Sequence, residues 1–248
     1  MQDYKTESPF DISLSEEQQM TWDMLRKFAE TELRPQARKT ESDGMPSDEL
    51  LEKIKSLDLI PLIIPEQYGG MGLKQDSVSN ALALEALAYG DLSLAMSVSI
   101  PLLTAQIIAE HGSEEQKEKF LPKYVNGSIF QVGLGINNAL ISTDSYQSSV
   151  SARELGEEII LDGSKAGVAF ANDAKSFLIS ASNESGECGL YFVDKNQEGL
   201  ELEEKEFMKK GVQTAYQNTM ILEYEPNKGY KLSLIHISEP TRQEAISY

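Results

Sequence analysis

The sequence predicts an α+β protein with an all-α N-terminal domain, residues 1–126, followed by an antiparallel β-barrel domain, residues 127–231. Apolar residues recur at helical spacing from Leu14 to about Asn126, which indicates amphipathic and buried helices. After Gly127 the period changes to two, with Gly, Asn and Asp between the apolar runs, which is typical of short strands joined by turns. The sequence has neither βαβ alternation nor a G-x-G-x-x-G phrase, so a Rossmann domain is disfavoured.

Five helices on short connections are predicted in the N-terminal domain. Ser15 and Gln18 form a capping-box pattern that opens the first helix, and Pro35 is expected to end it. Ser47, followed by two carboxylates, opens the second helix. The other three are two Ala- and Leu-rich buried helices at residues 77–89 and 92–111 and a last helix that starts at residues 113–116 and ends near Pro122.

Short β-type runs are predicted after residue 127, with a hairpin at residues 153–156. Their spacing predicts an antiparallel barrel or sandwich of roughly 100 residues. The acidic run at residues 198–206 is interpreted instead as a solvated face. The six predicted runs are residues 129–136, 148–153, 159–161, 177–180, 190–193 and 219–222.

Composition and charge limit the classes of partner. The chain has 248 residues, 40% hydrophobic and 25% charged, and its net charge of -18 disfavours nucleic acid and anionic membrane surfaces. No apolar run is expected to reach the roughly 20 residues of a bilayer span, so no membrane partner is predicted. The single cysteine, Cys188, and an N-terminus without the layout of a signal peptide lead us to expect a cytoplasmic protein.

Residues 232–248 differ in character from the rest of the chain. Residues 232–242 and 246–248 resemble the in-frame translation of a transposon-type sequencing adapter. We therefore expect residues 232–248 to be a non-native tail that packs poorly against the rest, and native sequence to continue beyond Lys231. The alternative is a genuine strand, because the apolar residues of the run LSLIHI alternate.

Few residues suited to catalysis are present. His111 is the only histidine before residue 232 and Cys188 the only cysteine, so the sequence offers neither a His-based triad nor a zinc cluster, and no metal site is predicted. His111 precedes Gly112 and is interpreted as a C-terminal helix cap. Cys188 has no basic neighbour within four residues and is interpreted as unreactive.

Two phrases identify a family resemblance. Pro65-Glu-Gln-Tyr-Gly-Gly-Met-Gly72 and His111-Gly-Ser-Glu-Glu-Gln-Lys-Glu-Lys-Phe-Leu-Pro122, at this separation, resemble the acyl-CoA dehydrogenase family. In that family the first is a glycine turn between helices and the second begins a helix that leads into a β-domain. The glycines also have a local reason, because Gly69 and Gly70 can take positive φ in a tight turn.

The resemblance implies FAD-dependent α,β-dehydrogenation of an acyl-CoA thioester, an electron-transfer partner, and a homo-oligomer when full length. In the family, a flavin lies between the β-domain and a C-terminal four-helix bundle, and a glutamate usually on that bundle removes the α-proton. The bundle is expected to be missing from this chain. No residue of 1–231 can therefore be assigned as catalytic, and the chain is expected to be inactive as a truncated fragment.

The resemblance also implies the positions of the site. Relatives carry Thr-Glu-Pro-x-x-Gly-Ser-Asp after the first strand, which meets the flavin and, through its serine, lies near the thioester or phosphate groups of the substrate. A later phrase, Gly-Thr-Lys-x-Trp-Ile-Thr/Ser, backs the flavin ring. The matching residues here are Leu134, Gly135, Ile136, Asn137, Gly167, Val168, Ala169 and Phe170 for the cofactor, and Ser142 and Thr143 for the substrate.

The sequence departs from the family at three cofactor-facing phrases. Only the final Ser/Thr-Asp of the first phrase is present, Gly167 stands at the tryptophan position, and Ala169 stands at the hydroxyl position. Where relatives have Gly-x-Arg-Gly-Ser, this chain has Gly-Val-Gln-Thr-Ala at residues 211–215. FAD binding is therefore expected to be weak or lost.

Three interpretations remain. A divergent flavoenzyme is possible, because backbone amides and an apolar pocket can still hold a flavin. A flavin-poor homologue could act as a partner subunit or acyl-thioester binder. A flavin monooxygenase or nitroalkane oxidase could use the same fold, since a fold alone does not determine the reaction.

Overall fold

The computed structural model of the chain describes residues 13–73, 77–126, 132–136, 148–155, 158–204, 218–222 and 233–235. Within these residues the helices precede the strands. A π-helical turn lies at Ala29–Leu33 and a 3-10 turn at Glu66–Tyr68. The described α-helices are α1 (Glu16–Phe28), α2 (Arg34–Asp43), α3 (Asp48–Lys55), α4 (Leu59–Ile63), α5 (Ser77–Ala88), α6 (Leu92–His111) and α7 (Glu114–Asn126).

The predicted helix starts are confirmed by their hydrogen bonds. Ser15 Oγ accepts from the Gln18 amide and the Gln18 side chain accepts from the Ser15 amide, at 3.1 and 3.0 Å. Ser113 and Gln116 form the same reciprocal pair at 3.2 and 2.8 Å. Ser47 Oγ accepts from the Leu50 amide at 3.3 Å. Each cap pairs amide groups that the first turn of a helix leaves without a partner.

The two predicted helix ends at prolines are wrong. The helical path continues through Pro35, because the π-helical turn of residues 29–33 precedes it and Pro35 lies in the first turn of α2. A proline in a first turn costs no hydrogen bond, since the amide there has no helical partner. Helix α7 likewise continues past Pro122 to Asn126.

Helix α6 is long and apolar enough to cross a membrane by length and composition alone, so the expectation that no run approaches this length is wrong. In the sequence, Ser, Thr, Pro and Gln residues interrupt the apolar run of this helix, but the helix has no charged residue before Glu110. Half of its most apolar window is buried inside the structure, and the helix contacts α4, α5, α7 and the first strand. A core helix of a globular domain has the same composition.

The strands form one mixed sheet. Its order along the described strands is β6-β7-β3-β2-β4-β5-β8, and β1 lies beside β4. The strands are β1 (Val132–Gly135), β2 (Val150–Leu155), β3 (Glu158–Val168), β4 (Ser176–Ser182), β5 (Cys188–Asp194), β6 (Leu200–Glu204), β7 (Asn218–Leu222) and β8 (Ser233–Ile235).

The prediction of an antiparallel barrel is wrong in two respects. Strand β1 pairs with β4 in parallel, and β2 also meets β4 in parallel at Ser151 and Ser182. Among the described strands no ladder joins β6 to β8, so the sheet is not closed. Alternation of apolar residues identifies strands, but the direction of each pairing depends on connections between distant segments.

The remaining predictions for strands have mixed outcomes. The predicted hairpin is confirmed, since β2 and β3 pair antiparallel up to Leu155 and Glu158, but residues 153–155, predicted to join the two strands, belong to β2. The acidic run contains a strand that was missed, β6, in which Leu200 and Leu202 pack against the core of the sheet while Glu201 is exposed.

The backbone of the predicted non-native tail contributes strand β8. Its residues Ser233, Leu234 and Ile235 pair antiparallel with Phe192, Tyr191 and Leu190 of β5. This pairing differs from the expected poor packing and agrees with the alternative strand interpretation for these three residues. An open sheet edge accepts any extended segment through backbone hydrogen bonds.

Two apolar cores hold the structure together. The larger core contains residues of helix α1, of the five helices α3 through α7, and of the β-domain. Its β-domain residues include Val132, Leu178 and Phe192. The smaller core lies within the sheet and includes Phe177 and Ile179. Phe120 of α7 stacks on Phe192 of β5, with ring centroids 4.0 Å apart and planes 11° apart. The helices and the sheet therefore share one core.

Candidate functional site

The two family phrases contact each other through a hydrogen bond. Tyr68 of the first phrase donates its hydroxyl to Glu114 Oε2 of the second at 2.8 Å. Gly69 has the expected positive φ of +91°. Gly70 does not have a positive φ, but a Cβ at this position would lie 2.1 Å from the Ile64 carbonyl oxygen. Close approach of backbone to backbone is therefore what requires glycine there.

The predicted cofactor residues that the structure describes lie at the ends of β1 and β3. Leu134 packs against the larger core, in which Ala169 and Phe170 are buried. A Cβ on Gly135 would lie 3.7 Å from Cγ of Lys165 on β3, so the two strands approach closely. The strands that carry the two predicted flavin-facing segments are thus in contact at Gly135 and Lys165. Asn137, Ser142 and Thr143 lie outside the described residues.

These segments offer backbone and apolar surface. Ile136, after the end of β1, is 48% exposed, whereas Val168, Ala169 and Phe170 are at most 6% exposed. The register of β3 shifts between Lys165 and Val168, and Gly167 takes a φ of +59°. The Phe170 ring lies in the larger core and does not replace an indole at the surface. None of the described residues of these two segments has a polar side chain.

Sequence reasoning missed a buried polar cluster beside these segments. The Lys165 side chain is 0% exposed, and its Nζ donates to Ser148 Oγ at 2.8 Å and to Ser180 Oγ at 2.9 Å. The same Nζ lies 3.5 Å from the Ile136 carbonyl oxygen. A partial signal was present, because Lys165 follows the buried Leu161 by four positions and so lies on the same face of the strand, although the neighbouring Ile160 is buried as well.

Burial lowers the pKa of the Lys165 ammonium from its ordinary value to about 8, and the nearby Cys188 sulfur opposes this shift. A low-dielectric environment disfavours the charged form of a lysine. Cys188 itself is exposed and has no disulfide partner. Its predicted lack of reactivity stays a prediction.

The depressed pKa of Lys165 predicts a dependence of stability on pH. Above about pH 8 the folded protein loses this proton while the unfolded chain keeps it up to about pH 10.5, so stability rises with pH across this window. Relative to Lys165→Met, the free energy of unfolding of the unaltered protein is expected to increase by about 2 kcal/mol between about pH 7.5 and about pH 10. Urea titrations at both pH values measure it, and parallel pH profiles for the two proteins would contradict the burial of a charged lysine.

An apolar cavity of about 260 Å³ lies between α5 and α6. Ala, Leu and Val side chains make up most of its wall, and Asn80, Ser99 and Gln106 provide its polar groups. Since α6 also contacts β1, the cavity and the candidate site share this helix. Among the described residues, no three His, Cys, Asp or Glu side chains lie close enough together to hold a metal ion.

The architecture, a helical domain that shares its core with a mixed sheet, is that of the dehydrogenases that act on acyl-CoA thioesters. It superimposes on a glutaryl-coenzyme A dehydrogenase in complex with glutaryl-CoA with a TM-score of 0.73 and 25% identity, covering 86% of this chain and 55% of that one. A glutaryl-CoA dehydrogenase from Mycobacterium smegmatis in complex with FADH2 also shows this fold, with a TM-score of 0.73, 22% identity, and coverage of 85% and 53%.

Residues 15–128 match the model of the acyl-CoA dehydrogenase N-terminal domain. A glutaryl-CoA dehydrogenase of Desulfococcus multivorans is 30% identical over 166 residues, which cover 66% of this chain and 42% of that protein. The resemblance to the acyl-CoA dehydrogenase family that the two phrases predicted is therefore confirmed, and both phrases lie within the matched N-terminal domain. It spans about half the length of the curated relatives that it matches, between 42% and 57% for those named acyl-CoA or glutaryl-CoA dehydrogenases.

Proposed function

We propose that the protein takes part in the FAD-dependent α,β-dehydrogenation of an acyl-CoA thioester. The observation that carries this proposal is the close approach of β1 and β3 at Gly135 and Lys165, because these two strands carry the segments that match the flavin-facing phrases of the family. Relatives named glutaryl-CoA and short-chain acyl-CoA dehydrogenases, and a neighbour that holds FADH2, support it.

The described residues fit a flavin only through backbone groups and apolar surface. Ile136 is half exposed at the end of β1, and Gly167, the next-to-last residue of β3, has a left-handed conformation and no side chain. A flavin bound there would accept the β-hydride of the substrate. The chain's own part is to orient the ring through the β1 backbone and to exclude water with the apolar side chains around it.

The substrate part of the proposal assigns the acyl chain to the apolar cavity between α5 and α6. Its Leu, Ala and Val wall provides the hydrophobic surface that an alkyl chain needs. No carboxylate of residues 1–231 can be assigned the role of the family's base from sequence, and we infer that these residues bind substrate without turning it over by themselves. An electron-transfer partner, homo-oligomeric assembly and a cytoplasmic location complete the proposal.

A flavin-poor binding or partner subunit is the second candidate. Two properties of Val168, Ala169 and Phe170 favour it. Their side chains are apolar, so they offer the cofactor no hydrogen bond, and they are buried. Loss of one aromatic contact and two hydroxyl hydrogen bonds weakens flavin affinity by about one to three powers of ten relative to a complete family site.

Purified without added cofactor, the protein is expected to be largely colourless and to take up FAD when FAD is supplied in excess, as measured by quenching of flavin fluorescence. Ala169→Ser, which restores a hydroxyl, is expected to tighten binding by about 0.5 to 1.5 kcal/mol. Ala171→Ser is the matched control, because Ala171 is equally buried but belongs to the smaller core.

A yellow preparation with stoichiometric flavin would show that the substitutions weaken binding less than expected. No binding at millimolar FAD would overturn the flavoenzyme proposal and favour the partner-subunit candidate. Equal effects of the two serine variants would contradict the position assigned to Ala169.

A further inference from the structure

Two strands share one edge of β4 in succession. Strand β1 pairs with Ser176 to Ile179 of β4, and β2 then meets β4 at Ser182. The pairing therefore passes from one strand to the other beside Ser180. Gly135 is the last residue of β1 that pairs with β4, and Ser148, the next described residue after Ile136, donates its hydroxyl to the Ser180 carbonyl oxygen of β4.

The Lys165 side chain fills this junction. Its ammonium donates to Ser148 Oγ before β2 and to Ser180 Oγ on β4, and lies 3.5 Å from the Ile136 carbonyl oxygen at the end of β1. Its Cγ and Cβ atoms lie 3.7 and 3.8 Å from the position that a Cβ added to Gly135 would occupy. A single side chain thus contacts all three segments that meet here.

The Ser148 hydroxyl extends the same network. It donates to the Ser180 carbonyl oxygen at 2.8 Å and accepts from the Val150 amide at 3.1 Å. The Ser148 amide donates to Ser182 Oγ at 3.3 Å. The groups around the ammonium are therefore held in place by bonds of their own.

A buried ammonium is a costly way to fill space in a sheet. Apolar side chains of similar volume often replace buried charges without loss of stability. The lowered pKa of Lys165 reflects this cost. The cost is understandable if the lysine fixes a particular arrangement of the strand ends, which an apolar side chain without directional bonds would not do.

We propose that Lys165 is a positioning residue that holds the end of β1, at Leu134 to Ile136, in the conformation that meets the flavin. The inference rests on the proposed function. Since the described residues of the two segments offer no polar side chain, flavin affinity depends on where the backbone of β1 lies, and Lys165 contacts that backbone directly.

The test compares Lys165→Met with Lys175→Met, a control that removes an exposed lysine of the same domain. Two quantities are measured: hydrogen exchange of the amides of residues 132–136 without cofactor, and the Kd for FAD. Lys165→Met is expected to speed exchange at β1 and raise the Kd, each by about tenfold, while Lys175→Met changes neither. Exchange in α1 is expected to stay unchanged in both.

Ser180→Ala provides a milder variant in case Lys165→Met does not fold, and it is expected to change both quantities in the same direction by about threefold. Lys165→Cys in a Cys188→Ser background, aminoethylated while unfolded and then refolded, restores an ammonium at nearly the same reach. This product is expected to recover slow exchange and FAD affinity, whereas the unmodified Cys variant is not.

Unchanged exchange at β1 in both Lys165→Met and Ser180→Ala would overturn the inference. Faster exchange with an unaltered Kd for FAD would also overturn it, because Lys165 would then serve the fold alone. Failure of the unaltered protein to bind FAD would instead overturn the proposed function, and with it the flavin role of Lys165, while the exchange data still decide whether the lysine holds β1.

Discussion

Replacing Phe120 with Ala is expected to lower the free energy of unfolding by about 3 to 5 kcal/mol. The Phe120 ring is 7% exposed and stacks on Phe192, whose side chain is 5% exposed. The truncation leaves a cavity at the point where α7 meets β5 and removes the aromatic contact in addition. Urea unfolding followed by circular dichroism measures the change.

Two further variants separate packing from stacking. Phe120→Leu keeps most of the buried apolar volume and is expected to cost about 1 to 2 kcal/mol. In a double-mutant cycle with Phe192→Ala, the coupling energy is expected to be about 1 kcal/mol or more. Additive effects of the two Ala substitutions would show that the rings do not contact each other, and that the helices and sheet do not share this core.

The local features of the helical domain could be predicted from sequence because their causes are local. Ser15, Ser47 and Ser113 each cap a helix with a residue three positions further on, and this spacing is visible in the sequence. Pro35 and Pro122 misled the prediction because a proline ends a helix only where its position removes a needed bond or creates a clash. The π-helical turn before Pro35 has no sequence signal of comparable strength.

The pairing of the strands could not be predicted in the same way. Alternation located four of the six predicted runs within two residues of their strands, the described strand β1 within three residues, and β3 only in part. The parallel ladder of β1 with β4, however, joins residues about 44 positions apart. Strand β6 was missed because its Glu residues dominate the run, although Leu200 and Leu202 alternate with them.

The candidate site, too, could be predicted from sequence only in part. The family resemblance gave the two flavin-facing segments, and in the structure the strands that carry them, β1 and β3, are in contact at Gly135 and Lys165. The polar cluster around Lys165 was missed because Ser148, Lys165 and Ser180 come from three separate segments. Only the order of the strands places their side chains at one point.

Gly163→Ala is expected to lower the free energy of unfolding by about 2 to 4 kcal/mol, because two independent constraints act on this residue. Its φ is +137°, a conformation that L side chains rarely adopt, and an added Cβ would lie 2.2 Å from the Ser149 carbonyl oxygen. The added methyl group would force β2 from β3 beside Ser148 and Lys165, so FAD binding is expected to weaken together with stability.

Gly186→Ala is the matched control for the conformational part of this effect. Gly186 has a φ of +82°, but an added Cβ would meet no atom within 4 Å. Its substitution is expected to cost only the strain of a left-handed residue, about 1 to 2 kcal/mol, and to leave FAD binding unchanged. Urea unfolding of both variants decides the matter: equal losses would mean that β2 and β3 do not approach each other at Gly163 as closely as the structure places them.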